Sequence, residues 1–165
     1  MKSSLSVEIA APPDLVFRLA NDPLRWPTFL PHYVVARPLT RDGDGLVAEY
    51  VARRPLLPVL GLGLPVAWRS RHQSDPAARM LRFHHLGGAS GGMDVVWRVE
   101  PGEKGARVTI EHEFRARLPG WATFVDRLFV RPIATRTLAT FRTLAEAVAP
   151  IATESNAPAP TKRRS

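Results

Sequence analysis

Near Pro119 the apolar residues change their spacing, and that change limits the folds open to the chain. Before it, Val108, Ile110, His112 and Phe114 alternate with Arg107, Thr109, Glu111, Glu113 and Arg115. This is the two-residue period of a strand with one dry face and one wet face. Met93, Val95, Trp97 and Val99 repeat it. After Pro119, Trp121, Val125, Leu128 and Phe129, then Ala134, Leu138, Phe141, Ala145 and Val148, recur at helical spacing. Pro132 interrupts this stripe; it has no N–H to give to the helix ladder and predicts a kink or break. A sheet with one dry face, followed by a long helix with one dry stripe, buries both only if the helix lies across the sheet.

The remaining elements fill in that picture. Leu5, Val7 and Ile9 alternate as a first strand. Pro12-Pro13 opens a helix, where a missing N–H is harmless; Asp14 suits its first turn, and Asn21-Asp22-Pro23 stops it. Residues 24–31 have room for only a short helical turn between prolines. Strands are expected at 32–40, 46–54, 66–74, 80–86, 93–100 and 107–117, the first pair joined by a hairpin at Asp42-Gly43-Asp44-Gly45. The fold class is α+β: a curved antiparallel β-sheet wrapped around a long C-terminal helix, with two short helices after strand 1. Residues 1–150 form one domain, and residues 151–165, polar, proline-rich and ending in Lys-Arg-Arg-Ser, read as a disordered basic tail.

Composition removes several function classes. There is no cysteine, so disulfides, thiolate nucleophiles and Cys-ligated metals are excluded. The start has no signal-peptide core, and no stretch reaches the length of a membrane span, so a cytoplasmic protein is expected, with peripheral attachment to a membrane left open. The net charge is +8, from twenty arginines and three lysines against fifteen acids. The arginines are scattered and many alternate with apolar residues, as on a solvated basic surface; nucleic acid is not an expected partner, while an anionic membrane or an acidic carrier protein is compatible.

Candidate functional residues come from the strand faces. In residues 66–73, Arg69 and Arg71 share one face; burying both would cost several kcal/mol of desolvation each, so they face water. Trp68, Ser70 and His72 then face inward, as does His112 on its own strand. In residues 80–86, Arg82 and His84 share one face and Leu81, Phe83 and His85 the other, and periodicity does not choose between them. No histidine pair has helical ligand spacing and no carboxylate accompanies them, so no metal site is expected. The glycines at 87, 88, 91 and 92 lead into a strand and read as a flexible turn. Residues 55–65 are uncharged and leucine-rich; their prolines and glycines argue for a loop, either a lid or membrane contact or a segment folded onto the core.

Together these features resemble the SRPBCC or START-like helix-grip superfamily, and within it the polyketide cyclase/dehydrase group that includes aromatase/cyclases. The residues that carry the likeness are 11–17 (Ala-Pro-Pro-Asp-Leu-Val-Phe), 21–27 (Asn-Asp-Pro-Leu-Arg-Trp-Pro), His32-Tyr33, Asp42-Gly43-Asp44-Gly45, Trp68 with Ser70, residues 97–100, and the terminal helix; it covers about residues 3–148. The resemblance implies an internal cavity for a hydrophobic molecule, with Trp26, Tyr33, Trp68, Ser70 and Arg82 similar to cavity-lining positions. Aromatase/cyclases of this group are cofactor-free and fold a poly-β-ketone delivered by an acyl carrier protein through aldol cyclisation and dehydration. One departure is His72, which stands where a cavity arginine is expected. On this reading His72 and Arg82 polarise a ketone, Tyr33 and Ser70 orient the chain and His112 (or His84) moves protons. Ligand contacts are expected from Trp26, Tyr50, Trp68, Ser70, His84, Trp97, Phe114 and Phe141. The alternative is a non-catalytic carrier of a lipid or quinone, in which the same aromatic residues only pack the ligand.

Overall fold

The computed structural model describes residues 1–43, 45–57, 62–115 and 119–155. Strand β1 (Lys2–Ile9) is followed by α1 (Pro13–Ala20), a 3-10 turn (Pro23–Arg25) and the single-turn α2 (Trp26–Phe29). Then come β2 (Tyr33–Asp42), β3 (Gly45–Leu57), β4 (Leu62–Asp75), β5 (Met80–His85), β6 (Met93–Gly102) and β7 (Gly105–Phe114). The chain closes with α3 (Trp121–Val125), a π-helical turn (Asp126–Val130) and α4 (Arg131–Ser155). The seven strands form one sheet in the order β1-β7-β6-β5-β4-β3-β2, antiparallel throughout. Hairpins make every neighbouring pair except β1–β7, which joins the first strand to the last.

The expected sheet wrapped around a C-terminal helix is the fold observed. The alternation of β7 is realised directly, with Ala106, Val108, Ile110, His112 and Phe114 buried and Arg107, Glu111 and Arg115 exposed. On the helix, Val130, Ala134, Leu138, Phe141, Ala145 and Ala149 form the buried stripe. Three of the expected members before Pro132 depart from it. Trp121 is 38 % exposed, and Leu128 and Phe129 are only half-buried. The reason is the π-helical turn immediately before Pro132: it inserts an extra residue into the period, so that Val130 takes the inward position. A proline at the second residue of α4 leaves the preceding ladder without a donor, and the helix widens there.

The β3–β4 hairpin corrects a second expectation. Residues 55–57 and 62–65 continue the strands and are no loop; Pro55 pairs with Gly63 and Leu57 with Leu62 across a register shift. A proline survives in a strand where a bulge relieves it of its ladder bond. Residues 58–61 and the side chains of 55–62 lie outside the described residues, and with them much of the apolar segment. Residues 156–165 likewise lie outside them, and α4 runs to Ser155.

Packing centres on the concave face. Phe141 of α4 is buried against Trp26 and Trp97, with ring centroids 6.0 and 5.5 Å away. Glu146 of α4 accepts a 3.0 Å hydrogen bond from the Ala10 N–H, fixing the helix to the end of β1. Each fully buried large side chain here contributes about 1.5–3 kcal/mol of hydrophobic stabilisation. α1 and α2 close one end of the concave face; the opposite end stays open.

Candidate functional site

Between the sheet and α4 lies a cavity of about 100 Å³. Its closed end is aromatic. Trp26, brought in by the proline-bounded α2, meets Tyr33 edge-on at 5.2 Å and Trp97 at 5.1 Å, and its indole N–H is satisfied by the Ala20 carbonyl at 3.3 Å. Along the sheet, three rings from successive strands form a ladder. Tyr50 of β3 stacks on Trp68 of β4 at 5.6 Å, and Trp68 stacks on His85 of β5 at 5.9 Å. The pairing that places Tyr50 opposite Trp68 and Ser70 opposite His85 makes this ladder a consequence of register. His112 of β7 and Ile133, Ala134 and Thr137 of α4 complete the wall. The cavity reaches the surface where its lining residues become exposed, at Ala67 on β4 and Ala89 on the β5–β6 turn.

The polar groups in this wall are uncharged near neutrality. Burial lowers the pKa of His85 to about 3 and that of His112 to about 4. Burial raises those of the Tyr33 and Tyr50 phenols. His85 shares a 2.7 Å hydrogen bond between Nδ1 and the Ser90 hydroxyl. His112 Nδ1 is buried with no partner among the described residues. Beside the cavity, Thr137 donates its hydroxyl hydrogen to the Ile133 carbonyl, so the 2.8 Å bond between His32 and Thr137 is donated by His32 Nε2. Burial lowers the His32 pKa to about 4, and its ring too is neutral.

Of the residues expected from sequence, Trp26, Tyr33, Tyr50, Trp68, Trp97 and His112 line the cavity together. Arg82 and His84 do not. Both side chains are exposed on the outer face of β5, where His84 Nδ1 lies 2.7 Å from Asp94. Their expected roles in the cavity are therefore corrected. The inward face of β5 carries Leu81, Phe83 and His85, because a buried guanidinium without a counter-charge would cost more than a buried imidazole. His72 stands outside the wall: it is half-buried against Phe83, with Nδ1 3.4 Å from the Tyr50 hydroxyl, and burial lowers its pKa. Ser70 is fully buried, its hydroxyl without a partner among the described residues, and is not part of the wall. Phe114 and Phe141 are core residues behind it.

Sequence reasoning missed His85, Ser90 and Thr137. For His85 the signal was present. The desolvation argument that turned Arg69 and Arg71 outward on β4 applies equally to Arg82, and it leaves His85 facing in. Ser90 belongs to a glycine-rich turn and Thr137 to a mixed helical stripe, and neither carries a periodic signal. Among the described residues, no three histidine or carboxylate side chains cluster as a metal site, and no helix is long and apolar enough to cross a membrane.

The fold is shared with solved proteins. The Zhui aromatase/cyclase from Streptomyces sp. R1128 superposes with a TM-score of 0.74 at 20% identity, over 90% of this chain and 94% of that one. A protein from Thermus thermophilus does so with a TM-score of 0.66 at 20% identity, over 93% and 99%. The di-domain aromatase/cyclase BexL of the BE-7585A biosynthetic pathway reaches 27% identity and a TM-score of 0.69 over 90% of this chain, which spans 47% of that protein. No curated protein matches the sequence. Residues 1–146 match the family described as polyketide cyclase/dehydrase and lipid transport.

Proposed function

The chain belongs to the polyketide cyclase/dehydrase and lipid transport family, and from that premise we propose that it binds a flat, conjugated, oxygen-bearing hydrophobic molecule, of the aromatic polyketide or quinone type, in the cavity under α4. The observation that carries this reading is the wall itself: a stacked ladder of Tyr50, Trp68 and His85 beside polar atoms that are all neutral. Such a wall offers planar contact to a conjugated ring system, and hydrogen bonds to hydroxyl or keto oxygens. A carboxylate or phosphate buried there would meet no counter-charge from the lining residues and would cost several kcal/mol. The cavity is smaller than the roughly 300–1,000 Å³ of pockets that hold drug-sized ligands, so binding requires the wall to spread at its open end.

Cyclisation catalysis is the second reading, favoured by one observation: the Nδ1 of His112 in the cavity wall has no hydrogen-bond partner among the described residues. With Arg82 turned outward, the expected ketone-polarising cation is missing from the wall, and the imidazole would have to act alone. Native mass spectrometry of the purified protein, searching for a co-purified hydrophobe, tests the binding reading. Titration with a hydroxylated anthraquinone follows, and absence of both a bound molecule and saturable binding would overturn it. His112→Gln separates the two readings. A carrier keeps its affinity, whereas a cyclase assayed on a thioester poly-β-ketone loses about 100-fold or more in rate with binding retained.

A further inference from the structure

Six large apolar side chains are conspicuously exposed among the described residues, and four of them, Leu64, Leu86, Trp121 and Phe124, lie on the segments that frame the cavity opening. Leu64 is two residues before Val66 on β4, and Leu86 adjoins the glycine-rich turn that contributes Ala89 and Ser90 to the wall. Trp121 is tied to that same turn, its indole N–H donating to the Ala89 carbonyl at 3.2 Å. Phe124 stacks on Trp121 at 5.3 Å and is 49 % exposed. Three separate segments thus place apolar groups around one opening, and two of the groups are aromatic.

The β3–β4 side of this rim is rich in arginine. The sequence from Tyr50 to Ser74 holds Arg53, Arg54, Arg69 and Arg71 and no acidic residue, and residues 86–93 hold no charge at all. Arg115 follows β7 toward α3, and its side chain is 88 % exposed. Arg54 lies on the same strand face as Tyr50, opposite Leu64, and its Nε is buried with no partner among the described residues. Arg69 and Arg115 pair with Glu49 and Glu113 at 3.6 and 3.0 Å on the outer surface; pairs this exposed are exchanged at little cost.

We propose that the rim is a docking surface for an anionic lipid bilayer, with Trp121, Phe124 and Leu86 entering the interface and Arg54, Arg69 and Arg115 meeting lipid phosphates. Aromatic side chains beside arginines suit the boundary between headgroups and acyl chains, and each arginine near an anionic leaflet adds to the attraction. Docked this way, the opening faces the apolar phase, and a hydrophobic ligand passes between bilayer and cavity without crossing water.

The test is co-sedimentation of the full chain with vesicles of phosphatidylcholine alone and of phosphatidylcholine with about one third phosphatidylglycerol. Wild type should bind the anionic vesicles about tenfold more tightly or better, with binding falling as salt rises. Trp121→Ser with Phe124→Ser should lower that partitioning by about tenfold or more through lost apolar insertion, while the hydroxylated anthraquinone still binds. Arg69→Gln with Arg115→Gln should weaken it with a shallower salt dependence. Leu86→Ser serves as an independent apolar variant should the aromatic double substitution fail to fold. The proposal is overturned if wild type ignores anionic vesicles, if all these variants bind them as wild type does, or if an acidic protein competes for the rim while vesicles do not.

Discussion

The two ends of the cavity use the same kinds of residue for opposite purposes. At the closed end Tyr33, Trp97 and Phe141 all pack on Trp26, and the Trp26 N–H is satisfied by the Ala20 carbonyl; this is core. At the open end Trp121 and Phe124 stack on each other at the surface, and the small residues Ala67, Ala89 and Ser90 line the wall there. An aromatic residue is structural where neighbours cover it on all sides and available where they cover only one. The two ends should therefore respond differently to every perturbation, and the responses can be ranked.

The largest expected effect is of pH, and it acts on the buried imidazoles. His32, His85 and His112 have native pKa values of about 4, 3 and 4, below the unfolded value near 6.5. The unfolded chain therefore binds more protons between those limits. Stability is complete above about pH 6.5 and is lost as pH falls toward 4, by up to about 4 kcal/mol per pH unit if all three titrate together. Urea midpoints measured from pH 8 to 4 should fall steeply below 6.5, with uptake of up to about three protons on unfolding. A flat profile would mean that the rings are hydrated and the inner end is not sealed.

Next in size is truncation of an aromatic ring. Phe141→Ala empties a site that is 1 % exposed and should cost about 3–5 kcal/mol. Phe124→Ala at the rim should cost less than about 0.5 kcal/mol, as for other surface positions. If the two losses were similar, the rim would be core and its aromatic residues would need no partner.

The closed end was the legible one. Strict alternation on β6 and β7 and the stripe from Ala134 to Ala145 defined the dry surfaces, and a dry sheet with a dry helix has few ways to bury both. The site was less legible for physical reasons that can be named. On β5 the alternation of Arg82 and His84 with Phe83 and His85 gives two polar faces, and only the relative cost of desolvating guanidinium and imidazole selects one. The π-helical turn before Pro132 displaced the inward position to Val130, a shift that a fixed 3.6-residue period cannot anticipate. Trp121 looked like core because it stands four residues before Val125 on the helical stripe; in the structure it is the first residue of α3, and its indole is held outward on the Ala89 carbonyl of the β5–β6 turn.

The smallest predicted effect tests whether Ser70 belongs to the site or to the core. It follows Trp68 by two residues on β4 and so shares its face, and that placement made it a candidate ligand contact. Yet its hydroxyl is fully buried opposite Ala48 and His85, without a partner among the described residues. A buried hydroxyl without a hydrogen bond carries an uncompensated desolvation cost, and removing it relieves that cost while leaving a cavity of only one atom. Ser70→Ala should thus be neutral or stabilise the domain by up to about 1 kcal/mol, with anthraquinone affinity unchanged. Destabilisation beyond about 1 kcal/mol would show that the hydroxyl bonds a buried water in solution. A loss of affinity at unchanged stability would place Ser70 in contact with the ligand and extend the open end one pair of residues deeper into the sheet.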